Sequence, residues 1–320
     1  AATLAQAGQP AAIHHARGGS VARGGLRLDA MIRAAPPESV DGHLTITEQG
    51  EIISQNYGLK ANALRTLERA FGTLGLATLA KRRGRAQRES EVEHAIVARL
   101  AEASRRNWRA LVADDPAFHD FFRSVTPIDV IERMQIGSRS IWETGAQGSA
   151  ALSIRSTPWV FAWSQSRHFL PGWYGAGQAL ADEIAAHGVN ALRDMHGRWS
   201  FFSSVIFDIE SQLARCDLSI ADRYVELASP GLRRYAPLLR AEFDRCRDAV
   251  LAIKEEADLL DGDRTQQRAI QLRNPYVDPM NFMQVDLLRR WRATAREDDD
   301  LLQALLASVS GIAQGLQTTG

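Results

Sequence analysis

Two arginine–glycine–glycine triplets near the start of the chain are the first candidates for chemistry. They lie in HHARGGSVARGG, residues 14–25, and consist of Arg17, Gly18, Gly19, Arg23, Gly24 and Gly25. Arginine binds phosphate or carboxylate through paired hydrogen bonds, and glycine lets backbone N–H groups approach an anion closely. The stretch predicts either an anion-binding loop or a surface turn with solvated arginines. His15, two residues before the first arginine, is a candidate proton donor or substrate contact, or a structural histidine.

Two further arginines lie beside apolar sequence. Arg139 occurs in IGSRS, and Arg155 occurs in LSIRSTPWVF. An arginine that leads into an apolar segment is costly to bury without a partner. Arg155 is therefore either in a buried ion pair or turned towards an anionic ligand. The following stretch, SQSRHFLPGWYGAG (Ser164–Gly177), has three glycines around Trp173 and predicts either a functional loop or a tight turn closed by an aromatic ring.

Composition limits the function classes. The chain has 320 residues, of which 45% are hydrophobic and 24% charged, as in globular proteins. Lys+Arg and Asp+Glu balance at 38 each, so bulk charge predicts binding to neither nucleic acid nor membrane. The two cysteines, Cys216 and Cys246, lack metal-ligand spacing, which favours a reducing, cytoplasmic setting. The chain starts with Ala, and its opening, AATLAQAGQPAAIHH, is typical of a helix end that runs into a strand, so we expect a piece of a longer polypeptide.

Helical periodicity dominates the chain from Ala61 onward. A short strand is predicted at Ala11–His15, a strand or hairpin at Leu44–Ser54, and a buried strand at Ser156–Gln165, which is rich in aromatic and β-branched residues. Three capping residues followed by proline predict helix starts at Asp115-Pro116, Thr126-Pro127 and Asp278-Pro279.

A mainly helical chain with a few isolated strands needs partners for those strands. A (β/α)8 barrel with large helical additions, of which this chain is the C-terminal part, provides them, and its functional loops would follow the carboxyl ends of strands. The predicted organisation has three parts. Residues 1–60 hold a barrel strand, the glycine-rich loop and a hairpin; residues 61–177 hold helices, the last barrel strand and its loop; residues 178–320 form a C-terminal helical region.

Several long motifs resemble one family, in collinear order along nearly the whole chain. They are HHARGGSVARGG, IRSTPWVFAWSQSRHFLPGWYGAG, WSFFSSVIFDIESQLARCDLSIADRYVEL, QLRNPYVDPMNFMQVDLLRRWR and SGIAQGLQTTG. Each is similar to a signature of the phosphoenolpyruvate carboxylases. The resemblance implies magnesium-dependent carboxylation of phosphoenolpyruvate by bicarbonate, giving oxaloacetate and phosphate through carboxyphosphate and the enolate of pyruvate. It also implies a cytoplasmic homotetramer.

The resemblance implies roles for individual residues. Arg17 and Arg155 would hold the phosphate, Arg23 and Arg139 would lie on the bicarbonate or carboxyphosphate side, and His15 would position the intermediate that yields carbon dioxide. The Mg2+ ligands and a second catalytic histidine are expected upstream, in the rest of the polypeptide. No metal ligand is assigned in this chain, which we therefore expect to be inactive alone.

A feedback site for aspartate or malate is also implied. Arg23 and Arg273 occupy the family's two arginine positions, whereas Arg215 replaces a lysine and Thr318 replaces an asparagine. Arg215 keeps the charge but changes the hydrogen-bonding geometry. The basic loop that usually follows GSR is SIWETGAQGSAA here and lacks its Lys/Arg cluster. We expect weakened inhibition, or inhibition through different contacts.

Two readings from other classes stay open. One is a non-catalytic paralogue that keeps the fold and binds an anionic metabolite. The other is a structural half that contributes helical subunit contacts. Intact acidic metal ligands and histidine upstream would favour the enzyme, and their loss would favour a binding protein.

Overall fold

The chain is mainly helical, as predicted. The computed structural model describes residues 14–16, 28–36, 39–40, 42–47, 53, 56–84, 90–134 and 154–318. The chain divides into two compact units. The first consists of residues 1–96 and 190–208, and the second consists of residues 97–189 and 209–320. The division into three parts that the sequence predicts stays a prediction.

The elements follow one another in this order. The first half holds β1 (His14–Ala16), α1 (Leu28–Ala34), β2 (Thr45–Thr47), α2 (Lys60–Arg82), α3 (Glu91–Trp108), a π-helical turn (Arg109–Ala113), α4 (Pro116–Val125) and α5 (Ile128–Ile131). The second half holds α6 (Ser156–Gln165), a 3-10 turn (Leu170–Gly172), α7 (Ala176–His187), α8 (Asn190–Arg198), α9 (Ser200–Arg215), α10 (Leu218–Val225), a 3-10 turn (Leu232–Arg234), α11 (Tyr235–Lys254), α12 (Arg264–Ala293) and α13 (Asp299–Leu316).

The first unit contains a parallel pair of short strands. His15 of β1 lies opposite Ile46 of β2. The strands predicted near these positions are confirmed here, whereas the possible hairpin extends into residues 48–52, outside the described ranges. Parallel strands need a long connection, and α1 lies in that connection and packs against α2. The (β/α)8 barrel stays a prediction.

An aromatic cluster forms part of the core of the second unit. Phe118 and Phe122 of α4 face Trp159 and Trp163 of α6, with ring centroids 4.4 Å apart for Phe122–Trp159 and 5.9 Å apart for Phe118–Trp163. Tyr235 of α11 meets Phe118 edge to face at 5.3 Å. Such pairs add to the stabilisation from area burial. The cluster fixes α6 and therefore the segments at both of its ends.

The prediction of a buried strand at Ser156–Gln165 is wrong. These residues form α6, and Trp159 and Trp163, four residues apart, contact each other along one helix face. α6 is apolar on most of its circumference because it is buried on several sides, so its sequence carries no clear helical period. The aromatic and β-branched content of these residues favours a strand, and tertiary packing overrides that preference.

The three helix starts predicted from a capping residue followed by proline differ in how they compare with the structure. Asp115 caps α4 as predicted, since its side chain accepts a hydrogen bond of 3.1 Å from the backbone N–H of Ala117. The signal at Thr126-Pro127 precedes α5, which begins one residue later at Ile128. The predicted helix start at Asp278-Pro279 is wrong, because both residues lie inside the 30-residue helix α12.

Glycines allow two close helix contacts in the second unit. A Cβ on Gly177 of α7 would lie 2.7 Å from the backbone nitrogen of Cys246 and 2.7 Å from the backbone oxygen of Glu242, both on α11. A Cβ on Gly315 of α13 would lie 2.5 Å from Cγ2 of Val277 on α12.

Within the described ranges, no helix is both long enough and apolar enough to cross a membrane.

Candidate functional site

Three arginines approach one another in the second unit. Arg167 follows α6, Arg215 is the last residue of α9, and Arg273 lies on α12. Burial, together with the positive charges of Arg215 and Arg167, lowers the pKa of Arg273 to about 10. A buried group that feels two like charges indicates a place with excess positive charge, which suits an anion.

Arg273 is tied to the end of α13. Its Nη1 donates a hydrogen bond of 3.2 Å to the backbone oxygen of Leu316, the last residue of that helix. Arg273 Nε is buried without a hydrogen-bond partner among the described residues. Helix α13 packs along α12, so the two helices hold this guanidinium at their junction.

Thr318 is the second residue after the end of α13. Its backbone N–H donates to the oxygen of Ala313 at 3.0 Å, which closes the helix end, while Gln317 adopts a left-handed conformation with φ of 53°. The Thr318 hydroxyl oxygen is buried and has no hydrogen-bond partner within the described part of the chain. Arg273 and Thr318 are thus both held by the end of α13, and each has one buried polar atom without a hydrogen-bond partner among the described residues.

Arg167 is fully buried and tightly held. Its Nη1 donates to Asp278 Oδ1 at 2.7 Å and to Asn281 Oδ1 at 3.4 Å, and its backbone oxygen accepts from the N–H of Asp217 at 3.0 Å. Its backbone is left-handed, with φ of 60°, a conformation that non-glycine residues adopt at a cost. The signal in the sequence was an arginine directly after an apolar segment, but Arg167 was not singled out from it.

Asp278 has a different role from the predicted helix cap. It lies on α12 five residues after Arg273, and its carboxylate neutralises Arg167. Pro279 is accommodated within the helix, as is Pro275. An Asp-Pro pair therefore marks a charge partner here instead of a helix start.

Arg167 contacts a buried network of polar side chains through Asn281. Asn281 donates from Nδ2 to the backbone oxygen of Gln165 at 2.8 Å and to the hydroxyl of Tyr224 at 2.9 Å. Tyr224 donates in turn to Gln284 Oε1 at 2.8 Å, and burial raises the pKa of this phenol. Because these partners come from α6, α10 and α12, the network fixes the helices that carry the arginines.

The loop after α6 is a packed turn. Trp173 is buried, donates from Nε1 to the backbone oxygen of His168 at 2.9 Å, and packs edge to face on Phe243 of α11 at 5.6 Å. Gly175 has a left-handed backbone with φ of 88°, and its N–H donates to Glu242. Of the two interpretations of this stretch, the tight turn closed by an aromatic ring matches the structure, although the turn joins helix to helix.

Among the predicted catalytic residues, Arg155 is described with its side chain. It is half-buried and extended (φ −59°, ψ 151°), at the position immediately before α6. Its Nε is buried without a hydrogen-bond partner among the described residues. No described ion pair accounts for this nitrogen, and the choice between a buried ion pair and an anionic ligand for Arg155 stays a prediction.

The remaining candidates are placed less fully. His15 lies in β1. The others lie outside the described residues: Arg17, Gly18, Gly19, Arg23, Gly24, Gly25 and Arg139. Their convergence on Arg155, and the place of Arg23 beside Arg273, stay predictions. Within the described ranges, no three His, Cys, Asp or Glu side chains are arranged to hold a metal ion, and the expectation of upstream Mg2+ ligands stays a prediction.

Comparison with known proteins decides the family. The family model for phosphoenolpyruvate carboxylase matches residues 2–320. The chain belongs to the phosphoenolpyruvate carboxylase family. It is 45% identical over 307 residues to the phosphoenolpyruvate carboxylase of Xanthomonas oryzae pv. oryzae, and 36% identical over 312 residues to that of Rhodothermus marinus. These alignments cover 96% of this chain but 33% of each relative, so the chain spans about a third of the length of these relatives.

Proposed function

We propose that the full-length protein to which this chain belongs carboxylates phosphoenolpyruvate with bicarbonate, giving oxaloacetate and phosphate. The observation that carries this proposal is the family match over residues 2–320. Relatives named phosphoenolpyruvate carboxylase match nearly the whole chain at 36–45% identity. This chain alone is inactive, because it supplies a C-terminal part of the active site without the metal ligands.

The reaction begins with attack of a bicarbonate oxygen on phosphorus. The P–O bond of phosphoenolpyruvate breaks, which leaves carboxyphosphate and the enolate of pyruvate. Carboxyphosphate then releases carbon dioxide and phosphate, and the enolate carbon attacks carbon dioxide to form oxaloacetate. The transferring phosphoryl group carries dispersed negative charge, so fixed cations stabilise its transition state. The enolate must also be protected from protonation by water.

The arginines provide that positive charge. Arg17 and Arg155 hold the phosphate, Arg23 and Arg139 lie on the bicarbonate or carboxyphosphate side, and His15 positions the intermediate that releases carbon dioxide. The unpartnered Nε of Arg155 at the start of α6 supports its role, since a buried donor without a protein partner is available to an oxygen of the substrate.

Two parts of the active site lie beyond this chain. Carboxylates of the upstream polypeptide would hold Mg2+, and a second catalytic histidine comes from the same part. The full-length protein assembles as a homotetramer in the cytoplasm.

A dicarboxylate effector, aspartate or malate, binds the C-terminal helical region through Arg23, Arg215, Arg273 and Thr318. The lowered pKa of Arg273 and the unpartnered atoms of Arg273 and Thr318 support an anion at this place. Because Arg215 and Thr318 differ from the residues usual in the family, inhibition is weakened or uses different contacts.

A coupled assay for oxaloacetate on the full-length protein tests the function. The wild type should convert phosphoenolpyruvate and bicarbonate with added Mg2+, and both Arg23→Gly and Arg155→Gln should lower kcat/KM by about a hundredfold or more. Arg289→Gln, on the exposed surface of α12, is the matched control and should retain activity. Full activity in Arg23→Gly would refute the catalytic assignment, and no activity in the wild type would favour the non-catalytic paralogue or the structural half.

A further inference from the structure

A cavity of about 710 Å3 lies between α9, α11 and α12 in the second unit. Its walls are the last turn of α9, one face of α11, the loop from 255 to 263 and the first two turns of α12. A cavity of this volume can hold a small molecule. Neither Arg215 nor Arg273 lines it, so it is separate from the effector residues proposed above.

Apolar side chains line much of this cavity. Leu213, Leu260 and Ile270 belong to the buried core and form part of the wall. Phe243 and Leu251, which lie on one face of α11, add an aromatic ring and an aliphatic side chain. An apolar group of a ligand that packs against them loses its contact with water, which favours binding.

Hydrogen bonds hold the loop that forms one wall of the cavity. The backbone N–H of Leu260 donates to Glu210 Oε1 at 2.7 Å, and Gln267 Nε2 donates to the backbone oxygen of Leu259 at 3.0 Å. Leu260 has a left-handed backbone with φ of 66°, a conformation that persists in a non-glycine residue only where its surroundings fix it. The wall is therefore formed before a ligand binds.

One cation and one anion of the lining are available to a ligand. Arg264 is 77% exposed, and its contacts are long, at 3.4 Å from Nη1 to Gln267 Oε1 and 3.4 Å from Nη2 to Asp261 Oδ1. The carboxylate of Asp258 has no ion pair or hydrogen bond with the other described residues, whereas its backbone N–H donates to Asp261 Oδ2 at 2.9 Å. Because both residues contact Asp261, the two opposite charges lie at the same end of the cavity.

The second cation of the lining, Arg247, is already occupied. Its Nη1 donates to Asp244 Oδ1 at 2.9 Å, and its Nε and Nη2 donate to Asp248 Oδ1 at 2.9 and 2.8 Å. The lining thus offers one guanidinium and one carboxylate beside an apolar wall. An α-amino acid carries the two matching charges on one carbon, and hydrogen bonds between charged groups are the strong ones.

We propose that this cavity binds an α-amino acid with an apolar side chain. Arg264 binds the carboxylate, Asp258 binds the ammonium group, and the side chain packs against Phe243 and the buried apolar wall. This site is additional to the proposed carboxylation and to the proposed effector residues.

Titration calorimetry of L-phenylalanine into the full-length protein tests the proposal. The wild type should bind, and both Arg264→Gln and Asp258→Asn should weaken binding by about tenfold or more, since each removes one charged partner. Arg268→Gln is the matched control, because Arg268 lies four residues further along α12 and does not line the cavity. This variant should bind as the wild type does.

Two analogues test the two charges of the ligand separately. 3-Phenylpropionate lacks the ammonium group, and phenethylamine lacks the carboxylate. Each should bind at least about tenfold more weakly than L-phenylalanine. Equal binding of either analogue would overturn the role of the residue that faces the missing group.

The outcomes separate this cavity from other sites. The proposal is overturned if the wild type binds no L-phenylalanine, or if either Arg264→Gln or Asp258→Asn binds it as tightly as Arg268→Gln does. Arg273→Gln should bind L-phenylalanine as the wild type does, and loss of binding in this variant would place the ligand at the effector residues instead. The experiment measures binding alone, so its result is independent of the proposed carboxylation.

Discussion

Arg167 Nη1 lies 2.7 Å from Asp278 Oδ1, across 111 residues of sequence. The pair joins the segment after α6 to the middle of α12, and both partners belong to the neighbourhood of Arg273. Removing one partner of a buried ion pair leaves an uncompensated charge, so the pair constrains both segments. It also fixes the orientation of the Arg167 guanidinium, whose Nε and Nη2 are buried without a hydrogen-bond partner among the described residues.

Restoring the residues usual in the family should strengthen feedback inhibition. The double variant Arg215→Lys/Thr318→Asn replaces a forked cation with a point charge and a hydroxyl with an amide, which has two donors and an acceptor. We expect the aspartate concentration that half-inhibits the full-length protein to fall by about tenfold. Steady-state inhibition curves measure it, with Arg289→Lys as the control. Strong inhibition of the wild type at ordinary aspartate levels would contradict the weakened site.

His168 should make the protein sensitive to acid. Burial lowers the pKa of His168 to about 3, so the folded protein holds it neutral, whereas the unfolded chain protonates it near pH 6.5. The unfolded state then binds more protons below pH 6.5, and stability falls as pH decreases towards 3. From pH 7 to pH 5 this amounts to about 2 kcal/mol.

The variant His168→Gln, which does not titrate, should lose that part of the acid sensitivity. Thermal unfolding of the full-length protein between pH 7 and pH 5 measures it. The wild-type Tm should fall more steeply with pH than the variant's, whatever the variant's stability at pH 7. Parallel pH dependences would show that His168 can be protonated in the folded state.

Gly177 should tolerate no side chain. In Gly177→Ala the methyl group would meet the backbone of α11 at 2.7 Å, and backbone cannot move aside as a flexible side chain can. We expect destabilisation by about 1–3 kcal/mol, seen as a lower Tm. Gly197→Ala in α8 is the matched control, because nothing lies within 4 Å of its added Cβ. That change should be neutral or stabilise by up to about 1 kcal/mol. Equal Tm values for the two variants would disprove the close contact.

Local signals in the sequence predicted much of the helical structure. The cap at Asp115 and the periodic stretches that became α2, α3, α9 and α13 depend on residues a few positions apart, so the sequence contains what determines them. α6 was missed because its apolar character comes from packing against α4 and other elements, not from its own periodicity.

The residues of the candidate site also fall into those that the sequence predicts and one that it does not. Arg155, Arg215, Arg273 and Thr318 were found by motif position, and of these the structure places Arg215 and Arg273 near each other. Arg167 was not found, because its significance depends on Asp278, Asn281 and the two other arginines, all distant in sequence.

The sequence by itself determined the family, the mainly helical class and the residue types that can hold an anion, because these follow from long motifs and local periodicity. The tertiary structure alone decided which of these residues lose their contact with water and which polar atoms lack partners. Burial and charge–charge repulsion depend on distances across the fold, and those distances leave no pattern along the chain. The Nε and Nη2 atoms of Arg167, which are buried without a hydrogen-bond partner among the described residues, are such a feature, since they lie where α6, α10 and α12 meet.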